Sequence, residues 1–457
     1  MEAPKFEVKV ISSETIKPSS PTPSHLQKLT ISFLDQKYAP HLAPGILFFS
    51  APDGASPLDI THLKTCLSET LTHFYPLAGQ YQTWGTLLCN DYGVPFTVAR
   101  VNCSLSSVID SPLLSRVDFL SFYPPKDDIL PSRIHIAIQV NVFSCGGFAV
   151  ARYYTHKVMD GISSALFFRH WSAFVTNRYE VAAQAEPDFN AGAAAFPPVP
   201  DEGSPVTMAA APALKEEGET TKGEKNNSSW NFTFEKTIVV RSFVFKDEAI
   251  NILKAKSISD KVTYTSRFEA VTGFLWKHIL LASPEEGHSM LKIPVNLRPK
   301  TNPPLPSGSM GNLFEFTYAR AHNRAELRDM VSEIRESTSK MNNVAKEYQG
   351  EKRLEEHNRL LRQFINTVIE CKGKDIYFVN SLCKSTGFGD IDFGSGKPVW
   401  MVPFDDAVNH NRRNGIILTD STNSNDDGIE AWLFLEEDTI RSLESNLEFL
   451  GFASPKF

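Results

Sequence analysis

The sequence predicts an α/β protein of two similar-sized domains, with mixed β-sheets flanked by helices and a long crossover joining them. Three observations predict it. At 457 residues the chain exceeds what a single hydrophobic core ordinarily supports. Helix-spaced and strand-alternating apolar patterns interleave in both halves, without the regular series of a parallel βαβ fold. Between the halves, residues 182–229 are rich in Ala, Pro, Glu, Lys, Gly and Asn, so that little of this stretch is expected to pack a core. The expected layout is a first domain over 1–181, a crossover over 182–229 and a second domain over 230–457.

Each half supplies its elements in turn. Residues 64–74 carry Cys66, Leu67, Leu71 and Phe74 at helical spacing and stop before Pro76. Residues 134–143 alternate as a strand, 148–154 read as another, and 162–175 form an apolar helix. In the second half, 237–245 are strand-like and 267–281 helical. Residues 323–344 read as one longer charged helix, and a strand over 430–435 feeds a closing helix from Glu437. No short internal repeat is present.

Composition narrows the function classes. The 42% hydrophobic and 22% charged content is that of a globular chain. A formal charge of -7 leaves no basic footprint, so no nucleic-acid partner is expected. The longest apolar runs, such as Gly45-Ile-Leu-Phe-Phe49, are too short for a membrane span, and the polar first twenty residues lack a signal-peptide core. Six cysteines without CxxC or Cys/His spacing predict free thiols in a reducing, cytoplasmic setting and no metal site. The sequon Asn231-Phe232-Thr233 is then expected to go unmodified.

Several chemistries are excluded by their missing motifs. Gly387-Phe-Gly389 and Gly394-Ser-Gly396 lack the third glycine of a dinucleotide fingerprint, and there is no Walker A, HExxH or GxSxG sequence. His156 remains. It falls between an apolar strand and an apolar helix, a turn where the scaffold fixes a side chain that solvent and substrate still reach. A neutral imidazole there can take a proton from an alcohol near neutral pH. Asp160, four residues on, either orients that ring or anchors the turn; spacing alone leaves both open.

The run Cys145-Gly-Gly-Phe-Ala-Val-Ala, continuing to Thr155-His156-Lys-Val-Met-Asp160-Gly161, Phe167 and Trp171, resembles the HxxxD region of the plant BAHD acyl-CoA-dependent acyltransferases. Further motifs follow in the family's order. They are Ile31-Ser-Phe-Leu34-Asp35, His73-Phe-Tyr-Pro76-Leu-Ala-Gly79, Arg267-Phe-Glu269 to Trp276-Lys277, Val295-Asn296-Leu297-Arg298-Pro299, Gly311-Asn312 and Asp392-Phe393-Gly394-Ser395-Gly396. The texture is most similar to the vinorine synthase-like branch, many of whose members acetylate alkaloid or terpenoid alcohols.

That resemblance implies a chloramphenicol-acetyltransferase-like fold and an acyl-CoA co-substrate, with acetyl-CoA the leading donor. It also implies a small-molecule alcohol acceptor, no resident cofactor, and a cytoplasmic monomer independent of membranes. His156 would be the general base for direct attack on the thioester, in a channel between the domains. Asp160 would pair with Arg298 as an anchor, and Asp392, Gly394 and Gly396 would support the site's shape. Lys254, Lys256, Lys261, Lys384 and Ser385 are candidates for CoA contacts. Two departures stand out: Ser395 and Leu382 occupy positions where the family has tryptophan, which predicts a reshaped channel floor or a relaxed CoA site. Two alternatives remain. One is a relative in which His156 serves elimination, cyclisation or deacylation; the other is a non-catalytic binding relative.

Overall fold

Strands rich in β-branched and aromatic residues pair into two large mixed sheets in the computed structural model, which describes residues 6–38, 42–51, 57–110, 122–123, 134–200, 238–282, 287–370, 376–403, 414–421 and 427–456. The first sheet runs in the order Val8–Ile16, Val94–Val101, Ile136–Phe143, Phe148–Thr155, Leu42–Phe49, Trp400–Val402. Only its second and third strands pair in parallel. The second sheet runs Phe314–His322, His288–Asn296, Ile376–Ser381, Gly415–Asp420, Ile429–Glu436, Ile238–Phe245, Ser454–Pro455. Its two parallel pairings flank Ile376–Ser381.

Each sheet buries one face under helices. Ile60–His73 and Gly161–Val175 cover the first, and Arg267–Leu281 and Leu327–Ser339 cover the second. The opposite faces meet in a shared core, where Phe48, Tyr153 and Trp400 of the first sheet pack with Ile417, Trp432 and Phe434 of the second. Trp400 and Trp432 lie 5.8 Å apart, centroid to centroid. A division at the crossover does not foresee this: the strand Trp400–Val402 comes from the second half of the chain and pairs antiparallel with Leu42–Phe49 of the first.

Three expectations are corrected. The helix expected over 64–74 starts earlier, at Ile60, because Asp59 caps it by accepting from the His62 amide. The single helix expected over 323–344 is two, Leu327–Ser339 and Met341–Gln349, after a strand that ends at His322. The break at Lys340 serves two cores. Met330, Val331 and Ile334 pack against the second sheet, whereas Met341, Val344 and Tyr348 pack against Phe33, Leu34 and Phe196. One straight helix could not aim its stripe at both. Finally, the start of the crossover is better packed than its composition suggests, since Phe196 and Val199 are buried in that last cluster. The rest of the crossover, from 201 to 229, lies outside the described residues.

Candidate active site

His156 follows directly on the strand Phe148–Thr155, all of which is buried. The helix Gly161–Val175 begins five residues later, and Asp160 is its N-cap, accepting from the Ser163 amide at 2.9 Å. A carboxylate at that position satisfies an orphan amide and complements the helix dipole. The turn 156–160 is therefore held at both ends, and the imidazole is fixed by the scaffold instead of by a flexible loop.

Asp160 also reaches the other half of the chain. Arg298 binds it with two hydrogen bonds, Nη1 to Oδ2 at 2.8 Å and Nη2 to Oδ1 at 3.1 Å, and the Leu313 amide donates to Oδ2 at 3.2 Å. The guanidinium also donates from Nε to the Ser309 carbonyl, from Nη2 to the Ser163 hydroxyl and the Gly311 carbonyl, and from Nη1 to Asn296 Oδ1. Both side chains are over nine-tenths buried, with 5% and 8% exposure. Burial alone would push the Asp160 carboxyl up. The Arg298 charge and its hydrogen bonds outweigh that and hold it below the ordinary carboxylate range. Asp160 thus serves the turn and the domain contact.

What touches His156 is an amide. Its Nδ1 lies 2.8 Å from Asn312 Oδ1. Asn312 is itself oriented: its Nδ2 donates to Asp35 Oδ1 at 3.2 Å, and its backbone amide donates to the same oxygen at 2.6 Å. The Ser32 amide and hydroxyl donate to Asp35 Oδ2 at 3.0 and 2.6 Å. With Nδ2 committed to a carboxylate, Oδ1 must face the imidazole and accept from Nδ1–H. The basic lone pair is then on Nε2. Burial raises the Asp35 pKa, opposed by the hydrogen bonds from Ser32 and Asn312. Gly311 makes the close approach possible. Its φ is +124°, and a Cβ there would come within 3.2 Å of both Asp35 oxygens.

His156 lines a cavity of about 300 Å3 whose walls are largely apolar: Phe268, Pro294, Phe314, Phe316, Phe378 and Leu382. Asn296, Asn380, Ser381 and Thr386 supply its polar groups. The Asn296 Oδ1 accepts from the Arg298 amide and Nη1, so the same arginine that holds Asp160 also orients this amide. A larger cavity of about 710 Å3 adjoins it at Leu382 and is lined by Lys384, Phe388, Lys397 and Trp400, among others.

The other expected site residues lie apart. Asp392 accepts from the Gly394 and Gly396 amides at 2.8 and 3.0 Å, closing a turn in which both glycines have positive φ, and Arg178 lies 3.3 Å from its second oxygen. Phe393 of this turn packs on Trp171 and Phe49. Ser395 does not line the His156 cavity. It borders a separate one of about 200 Å3 with Leu58, His62, Phe148, Val175 and Phe393. The two departures from the family pattern therefore do not share one channel floor; Leu382 alone lies beside His156. Lys254 and Lys256 sit on the helix Asp247–Lys256 over the rings of Tyr264 and Phe452, and line neither cavity around Leu382. Lys384 lines the larger cavity but is paired with Asp427. The Ser385 side chain lies outside the described residues.

Sequence reasoning did not assign roles to Asn312 and Asp35. Both fall within quoted motifs, yet the contact that joins them spans 277 residues and leaves no local signal.

Comparison with known proteins gives three findings. The family model for the Transferase family matches residues 6–450. Vinorine synthase of Rauvolfia serpentina is 32% identical over 97% of both chains, and its crystal structure covers 98% of each with a TM-score of 0.75. Limonoid 21-O-acetyltransferase of Melia azedarach is 30% identical over 98% of this chain and 99% of its own.

Proposed function

The chain belongs to the Transferase family, the BAHD acyltransferases, and from that membership we propose that it carries an acyl group, acetyl in the first instance, from acyl-CoA to a hydroxyl of a plant specialised metabolite, with His156 as general base. The acceptor class is an alkaloid or terpenoid alcohol, since relatives are named for both kinds of substrate. One observation carries the reading: the Asp35–Asn312–His156 chain fixes the tautomer that puts a basic Nε2 on an imidazole lining an apolar cavity.

The proposed steps use that base. Nε2 takes the hydroxyl proton as the acceptor oxygen attacks the thioester carbonyl carbon. The C–O bond forms, and the carbonyl electrons collect on oxygen as a tetrahedral oxyanion. Its collapse breaks the C–S bond, and the imidazolium returns the proton to the departing CoA thiolate. No acyl-enzyme forms and no net proton is consumed. Two cavities meeting at Leu382 support separate approaches for donor and acceptor. The free-thiol cysteines among the described residues are in keeping with a reducing, cytoplasmic setting. The test is label transfer from [14C]acetyl-CoA to a panel of alkaloid and terpenoid alcohols. His156→Ala should lose about 10²-fold or more in rate with unchanged folding. Acceptor turnover that needs no CoA would sink the assignment and favour a non-acylating proton transfer.

A further inference from the structure

One cation on the site's own sheet is used by nothing in the mechanism. Along the strand His288–Asn296, alternate residues Lys292, Pro294 and Asn296 share one face. Pro294 and Asn296 line the His156 cavity. Asn296 pairs across the sheet with Phe314, whose ring lies 5.7 Å from His156. Lys292 is four residues back on the same face, roughly 13 Å further along the strand. Lys292 lies just beyond the cavity lining on the same strand face, with Phe316 as the wall between its ammonium and the imidazole end.

The ammonium is enclosed by rings. Lys292 Nζ lies 3.9 Å from the centroid of Phe316, itself a cavity wall, and 5.2 Å from that of Phe364. The side chain is half-buried, and among the described residues it forms no ion pair or hydrogen bond. The nearest carboxylate to influence it, Glu315, is engaged by Lys37 and the Tyr348 hydroxyl. Burial pushes the Lys292 pKa down to about 8, only partly opposed by Glu315. A desolvated cation of this kind lacks a counter-charge, and an incoming anion supplies one.

We propose that Lys292 selects the acceptor, binding a carboxylate at the far end of an elongated, rigid alcohol whose hydroxyl lies at His156. This rests on the acyl transfer proposed above and narrows its substrate class to acidic terpenoid-type alcohols over basic amines. Two features support the choice. Asp160 is the one carboxylate lining the cavity among the described residues, and Arg298 neutralises it, so an acceptor ammonium finds no free carboxylate there. The face of Phe316, one of the ring walls, is already covered by Lys292. The acetyl group of the proposed donor carries no carboxylate, which leaves the acceptor as the source of the anion.

The probes are oleanolic acid, with a hydroxyl and a carboxylate at opposite ends of a rigid pentacycle, and its methyl ester. Binding is measured first without acyl-CoA, so a failure of the acyl-transfer reading does not obscure the result; acetylation kinetics follow. Wild type should bind the acid about tenfold more tightly than the ester at pH 7, the scale of one charge-assisted hydrogen bond. That preference should fade toward pH 9 as the ammonium deprotonates. Lys292→Met should erase it, Lys292→Glu should reverse it, and His156→Ala should retain it. Equal binding of acid and ester by wild type, no binding of either, or a preference untouched by Lys292→Met would each overturn the proposal. So would a Lys292→Met effect confined to the KM for acetyl-CoA, which would assign the lysine to the donor.

Discussion

Replacing Asn312 by aspartate would set a carboxylate where an amide oxygen now lies 2.8 Å from His156 Nδ1. An ion pair with about 4 Å between charge centres is worth about 4 kcal/mol at an effective dielectric near 20, equivalent to about three pH units of extra stabilisation for the imidazolium. Asp35 works against this. Its oxygen accepts from Asn312 Nδ2 at 3.2 Å, so the new carboxylate meets a like charge and loses that hydrogen bond. Sharing a proton between the two acids should leave a net shift of about one to two units. The expected result is a kcat/KM profile whose acid limb moves to higher pH by that amount, so that the variant is slow at pH 7 and recovers by pH 9. Asn312→Ala removes the orienting group without adding charge. It should lower kcat about 10- to 100-fold, the equivalent of one buried donor left unpaired, with a small change in KM and an acid limb in place. The assay is the full pH profile of both variants, with circular dichroism to verify the fold. An Asn312→Asp profile that overlays wild type would refute the claim that this amide governs the base.

Two further outcomes follow from the surroundings. Arg298→Met leaves Asp160 buried without its partner and should destabilise by about 3–5 kcal/mol in urea unfolding at pH 7. Because the folded-state pKa of Asp160 is depressed, the pair's contribution is complete above the unfolded value of about 3.9 and lost as pH falls through the lower folded one. The gap between wild type and Arg298→Met should therefore close in acid, and a gap constant from pH 7 to pH 3 would contradict the assignment. Ser395→Trp should fill the cavity of about 200 Å3 beside Phe393 and raise stability by about 1 kcal/mol, while leaving the KM for acetyl-CoA unchanged, because that cavity does not adjoin His156. A lower Tm, or a changed donor KM, would show that the two regions are coupled.

Legibility in the sequence follows the range of the interaction responsible. The helix Arg267–Leu281 is readable to the residue because its start is written locally, as Ser266 and Glu269 in a reciprocal capping box. The strand–turn–helix around His156 is readable for the same reason: alternation, a polar cap and an apolar helix lie within thirty residues. The break at Lys340 is not, since both flanking helices carry continuous stripes and only the position of a second core tells them apart. Nothing local in Trp400–Val402 tells that its partner is Phe48's strand in the other half of the chain. At the site, the family motifs point to His156, Asp160 and Arg298. They do not say that Asn312 is the residue in contact with the imidazole, because that depends on Asp35, folded in from the far end of the chain. Lys292 carries no signal at all; in an alternating strand it reads as one more solvated lysine.

The placement of charge around His156 has a chemical logic. In the proposed role His156 starts the reaction neutral, and a buried carboxylate on Nδ1 would serve it poorly by favouring the protonated ring before substrate arrives. Here the two nearby acids are each held off the imidazole. Asp160 is neutralised by Arg298, and Asp35 is satisfied by four donors and touches His156 only through an amide. Asn312 transmits orientation without transmitting a full charge. It fixes the tautomer without placing a carboxylate on the ring. Under the proposed mechanism, the imidazolium of the transition state still donates from Nδ1–H to the same Oδ1, now as a charged donor, and that hydrogen bond strengthens as the proton moves. The interaction is therefore weaker in the ground state than at the transition state, the asymmetry that a rate enhancement requires.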